Sequence, residues 1–284
     1  MTTWIYDDYK QWIDDGCKIN DTVIELNLFN CNLTNLSENI GNLINLQKLR
    51  CLNNKLTVLP ETLGNLINLQ KLDCDINKLK ELPITIGNLI NLQYLNCSYN
   101  QLTELPKNIS NLINLRHLWC YSNKLTELPE TSGNLINLKC LDCKNNKLTK
   151  LPEILGNLIN LQWLICDNNK LTKLPISIMK LKHLEQIRYD ENIRLPINLK
   201  RFIDRIKNKI NNNVHNNSIQ ASLLNSINNL LSETITKDIN IIDDNILDNK
   251  TKSIIYNYVD DKTIGELLVN FEELLVYILE KIEN

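Results

Sequence analysis

Cysteine is the residue whose spacing in this 284-residue chain first suggests chemistry. Cys51, Cys74, Cys97, Cys120, Cys143 and Cys166 recur every 23 residues, and Cys140 makes a CxxC pair with Cys143. Regular thiols can ligate a metal or exchange electrons, and a CxxC is a common half of a zinc site. Geometry opposes that use here. The pair falls in a short apolar stretch that suits a β-strand, and residues three apart on a strand face opposite ways. Cys140 and Cys143 cannot share an ion without breaking that strand. The periodic six sit at an inward position, where a free thiol acts as a small buried hydrophobe.

Other catalytic constellations are missing from the sequence. A serine or thiol nucleophile wants a histidine beside it, and the only histidines are His117, His183 and His215. Phosphate cradles need closely spaced glycines. Of seven glycines, Gly41, Gly64, Gly87, Gly133 and Gly156 are instead spaced by multiples of 23. The reading is a protein that is not an enzyme, with no catalytic residues, no metal and no cofactor.

The bulk numbers restrict partners too. Hydrophobic residues at 43% suffice for a core, and a formal net charge of −2 supplies no field for holding nucleic acid or an acidic membrane surface. No apolar run approaches membrane-spanning length, and the start MTTWIYDDYKQW lacks the pattern of a secretory signal. The expectation is an intracellular, cytoplasmic protein, with no nucleic acid, no membrane and reduced thiols.

The elements that carry these residues follow from the repeat. Leu-Pro pairs begin at Leu59, Leu82, Leu105, Leu128, Leu151 and Leu174, each 23 residues after the last. A fixed period of that size means a solenoid. Between the prolines runs LxxLxCxxNxL, as in Leu46, Leu49, Cys51, Asn54 and Leu56, with copies starting at Leu69, Leu92, Leu115, Leu138 and Leu161. An earlier copy starts at Val23, with Cys31 at the Asn position, and a frayed one starts at Leu184.

This pattern, with the following LTxLP and the GNLIN string, resembles the leucine-rich-repeat family. It is most similar to the LPxxIGNL class found in intracellular signalling scaffolds, in amoebae and in giant DNA viruses. The resemblance implies an α/β leucine-rich-repeat solenoid. Parallel strands would line a concave face, and short helical or 3₁₀ turns would return along the convex side. It implies that Asn54, Asn77, Asn100, Asn123, Asn146 and Asn169 bond the loop backbone of adjacent coils. It also implies binding of a protein partner. Some bacterial relatives carry a Cys-based ubiquitin ligase after the repeats, a mechanism removed here because no Cys follows Cys166.

Three regions are expected: an N-terminal helical cap at 1–20, eight repeats at 21–196, and a capping helix with a small α-helical tail domain at 197–284. In the cap, Trp4, Ile5, Tyr9, Trp12 and Ile13 recur near helical spacing and Gly16 makes a stop. After Pro196, Phe202, Ile203, Ile206 and Ile210 mark one face of a helix. The run NNNVHNNS reads as a flexible joint, and three further helices follow, the last over Thr263–Ile282 with a broad apolar stripe.

Against near-identical coils, the positions that vary between them stand out. They are strand positions three, five and seven, counted from the first Leu of each copy. Stacked strands about 4.8 Å apart would gather Tyr94, Tyr99, His117, Trp119 and Tyr121 into one aromatic patch. Trp163 and Ile165 would extend it, and Asp73, Asp75 and Asp142 would shape its rim. The leading reading is a monomeric scaffold or adaptor binding a protein there. Two other classes remain open: an enzyme or regulatory subunit acting through the tail, and a structural repeat protein with no dedicated partner.

Overall fold

The computed structural model describes residues 2–216 of the chain, with side chains as far as residue 208. Its strands are β1 (Thr2–Trp4), β2 (Val23–Asn27), β3 (Lys48–Arg50), β4 (Lys71–Asp73), β5 (Tyr94–Asn96), β6 (His117–Trp119), β7 (Cys140–Asp142), β8 (Trp163–Ile165) and β9 (Gln186–Arg188). They form one sheet in sequence order, and every pairing is parallel. Register follows the repeat from β2 onward, so Leu26, Leu49, Leu72, Leu95, Leu118, Leu141, Leu164 and Ile187 stand side by side. All eight are buried.

Each return segment is a five-residue 3₁₀ turn, such as Glu61–Asn65 or Ile84–Asn88, and six of the seven open on a proline N-cap. Five residues are too few to repay nucleation of an α-helix, so the tighter turn is used. Coils stack closely at these turns. A Cβ placed on Gly64 would lie 2.4 Å from Thr85 Cβ and 2.7 Å from the Thr85 carbonyl oxygen.

The Asn column performs the bonding that the resemblance implies. Asn100 Oδ1 accepts from Leu79 N at 2.9 Å, while its Nδ2 donates to the carbonyls of Cys74 (3.0 Å) and Ser98 (2.9 Å). The same pattern holds at Asn54, Asn77, Asn123, Asn146 and Asn169. One amide thus satisfies backbone groups of two coils that burial would otherwise leave unpaired. At the end of the array Asp190 takes over, its carboxylate accepting from Asn168 N at 2.6 Å and Asn169 N at 3.1 Å.

Helix α1 (Tyr6–Asp14) covers the first coil, but the cap differs from the expected single helix. Trp4 lies on β1, which pairs with β2 and adds a ninth strand ahead of the repeats. Ile5 and Ile13 are exposed, and the buried face is Tyr9 with Trp12. Trp12 Nε1 donates to Lys18 O at 2.8 Å, and Tyr9 Oη accepts from Ser37 N at 2.8 Å. Paired polar tips explain why these aromatics, rather than isoleucine, sit inside. Gly16, at φ +87, ends the helix as expected.

Helix α2 (Ile197–Asn216) closes the other end by burying Leu199, Ile203 and Ile206. It runs on through Asn211–Asn216, where the sequence suggested a joint. That asparagine-rich stretch holds neither Gly nor Pro, so an established helix can propagate into it. The helices expected at 219–231, 251–258 and Thr263–Ile282 fall outside the described residues.

Candidate protein-binding face

The periodic thiols are structural. Burial pushes Cys97 up to about 12 and holds Cys74, Cys120 and Cys143 far above the ordinary thiol range. They stay protonated at neutral pH and are poor nucleophiles. From Cys74 to Cys166 these thiols donate to the next strand: Cys74 Sγ to Asn96 O (3.3 Å), Cys97 to Trp119 O (3.5 Å), Cys120 to Asp142 O (3.5 Å), Cys143 to Ile165 O (3.4 Å) and Cys166 to Arg188 O (3.2 Å). The Cys74 amide donates to that same Asn96 carbonyl at 2.9 Å. Cysteine at this position therefore fills the core and adds a weak interstrand bond, a role its spacing alone did not reveal.

Outward strand positions carry the candidate site. Tyr94 on β5 meets Trp119 on β6 edge-on, with ring centroids 5.0 Å apart, and His117 at 6.2 Å. Lys71 Nζ sits 4.4 Å from the Tyr94 ring centroid. A second cluster joins Tyr99 and Tyr121 edge-on at 5.2 Å, with Lys144 Nζ 4.8 Å from the Tyr121 centroid. Both sets of ring contacts join the coil of β5 to the coil of β6. Edge-on and cation–π contacts lock these side chains together and reduce the entropy that binding must remove.

Trp163 and Ile165 lie on β8, separated from these rings by Cys140 and Asp142 of β7. Cys140 is joined to the first cluster, because Trp119 Nε1 donates to its sulfur at 3.3 Å. Burial raises the Cys140 thiol to about 12 despite that bond.

The aspartates form floor rather than rim. Asp73 and Asp142 are each only 6% exposed, Asp73 standing between Arg50 and Asn96 and Asp142 between Trp119 and Ile165. Burial raises the Asp142 carboxyl to about 6, although Lys144 Nζ at 3.7 Å and the Lys144 amide at 3.1 Å oppose the shift. Asp73 is raised for the same reason against Lys71 and Arg50.

Sequence reasoning missed one further feature. Position eight of the first seven coils adopts left-handed backbone: Asn30, Asn53, Ile76, Tyr99, Ser122, Asn145 and Asn168 all have φ between 46 and 56. Asparagine tolerates this conformation, whereas a β-branched or bulky residue is strained there. The signal was the Asn-Asn pair, present at Asn53, Asn145 and Asn168 and replaced in the three coils between them. Tyr99 holds its ring against Tyr121 from such a position.

A parallel sheet of 23-residue coils, a ladder of interlocking asparagines and a variable strand face together define a leucine-rich-repeat solenoid. The chain belongs to the leucine-rich-repeat family: residues 22–127 and 130–230 match the leucine-rich repeat region. Its fold is similar to that of a leucine-rich-repeat protein of Leptospira interrogans, at 33% identity and a TM-score of 0.58, over 64% of this chain and 53% of that one. A TDR receptor is similar at 30% identity and a TM-score of 0.54, over 61% of this chain and 31% of that one. The plant peptide hormone receptor RGFR1, solved in complex with RGF2, is similar at 28% identity and a TM-score of 0.53, over 62% of this chain and 28% of that one. The match therefore spans about half of the Leptospira protein and under a third of each receptor. No curated protein matches the chain. Among the described residues, no helix is long and apolar enough to cross a membrane.

Proposed function

We propose that the protein is a non-enzymatic interaction module, a scaffold or adaptor inside the cell, that binds a protein partner on the concave strand face. The observation that carries this reading is the concentration of interlocked aromatics, Tyr94, His117, Trp119, Tyr99 and Tyr121, in the outward columns of β5, β6 and the turns after them. Rigid aromatic side chains supply contact area at small entropic cost and dominate hot spots. Lys71 and Lys144 add polar contacts at their edges. A receptor of similar fold whose structure includes RGF2 supports the same use of the repeats.

The test is affinity capture with the full chain as bait, comparing wild type with a Trp119→Ala, Tyr121→Ala double variant whose fold is checked by circular dichroism. A partner recovered by the wild type and lost by the folded variant supports the concave face. Equal recovery by both removes it.

A further inference from the structure

A different column of the coils is apolar and exposed. Ile44, Ile67, Ile90, Ile113, Ile136 and Ile159 occupy one position between the 3₁₀ turn and the strand, and each is 41–56% exposed. They are held rigidly. The asparagine after each isoleucine reaches back one coil, as when Asn68 Nδ2 donates to Ile44 O at 3.0 Å and Asn114 Nδ2 to Ile90 O at 2.8 Å. No charged residue interrupts the column, because each coil here reads Asn-Leu-Ile-Asn.

The ends of the column are charged, and oppositely. One period before Ile44 stands Asp21, whose carbonyl accepts from Asn45 Nδ2 at 2.9 Å in the same manner. One period after Ile159 stands Lys182. Both are exposed, and neither belongs to a salt bridge among the described residues.

We propose that this ladder is a self-association surface, on which a second copy of the chain docks antiparallel about a two-fold axis between Ile90 and Ile113. Three observations select a second copy over another occupant. A surface complementary to a row of identical groups about 4.8 Å apart must carry the same repeat, and this face carries it itself. A two-fold pairing that sets Ile44 opposite the partner's Ile159 also sets Asp21 opposite the partner's Lys182, at both ends. Six half-exposed isoleucines present about 500 Å² of apolar surface, near the upper end for a monomer's largest patch. With the flanking asparagines the face approaches the roughly 800 Å² per partner of a standard interface. The single-copy state expected from the sequence gives way to a dimer whose concave faces are left out of the contact.

Light scattering after size exclusion, on the full chain, tests this. The expected result is a dimer mass at micromolar concentration and a monomer mass for Ile90→Glu, Ile113→Glu, with circular dichroism unchanged. Lys182→Glu alone should weaken the dimer several-fold by facing Asp21 with a like charge, and Asp21→Lys added to it should restore the affinity. A monomer mass for the wild type at about 100 μM, where interfaces of standard size are occupied, overturns the proposal. So does a dimer that the isoleucine variant leaves intact, or a charge swap that fails to rescue. None of these outcomes bears on the concave face, whose test reads partner capture.

Discussion

Position nine of every inner coil is asparagine, from Asn54 to Asn169, whereas position five, four residues earlier on the same coil, runs through Arg50, Asp73, Asn96, Trp119, Asp142 and Ile165. Asn100 makes four hydrogen bonds, to Leu79, Cys74, Cys97 and Ser98, so its shape and polarity are dictated by two coils at once. Trp119 donates its indole N–H to one sulfur and otherwise leans on Tyr94. Sameness marks positions fixed by the backbone's need for partners, and variety marks positions whose backbone is already satisfied by the sheet.

Replacing one residue from each column should separate the two roles most sharply. Asn100→Ala strips partners from buried backbone groups and should cost about 3–4 kcal/mol in urea unfolding, while Trp119→Ala should cost less than half of that. Equal losses would show that the concave rings are also part of the scaffold.

Titration gives the next largest effect. The folded-state pKa of Asp142, about 6, lies above its ordinary 3.8, so the native protein binds the proton more tightly than the unfolded chain. The stabilising contribution is full below about pH 4 and is lost as pH rises through 6. Asp142→Asn should therefore match wild type near pH 4 and exceed it by about 3 kcal/mol at pH 7. Parallel stability curves for the two proteins would reject a buried carboxylate in the floor of the face.

Coil stacking is tested by Gly64→Ala. Its new methyl would meet Thr85, including that residue's backbone, and should cost about 1–3 kcal/mol. The smallest effect concerns the left-handed column: Ile76→Asn should raise stability by about 1 kcal/mol by relieving strain at φ 49. No gain at Ile76 would mean that the neighbouring coils, not the residue type, decide tolerance there.

Much of this was legible in the sequence because the repeat states each demand several times over. Leu49 and its counterparts, the Asn column, the Gly16 stop and the outward placement of Trp119 follow from spacing alone. What was not legible arises where one copy stands alone. The strand at Thr2–Trp4 has no period of its own and is defined by pairing with Val23, Glu25 and Leu26. Which aromatic rings touch depends on ring orientation, and the burial of Asp73 and Asp142 depends on what surrounds each side chain. Strand alternation encodes neither.

The reach of each ladder also bears on how such a gene changes. Every asparagine amide contacts its own coil and the one before it, so excision or insertion of one whole coil leaves each remaining bond with an equivalent partner. Recombination between near-identical coding segments can then lengthen or shorten the array without a folding penalty at the new joint. The aromatic clusters have no such freedom: a coil inserted between β5 and β6 would part Tyr94 from Trp119 while the solenoid remained sound. Lineages of this protein should therefore differ freely in coil number outside β4–β7 and keep β5 and β6 adjacent.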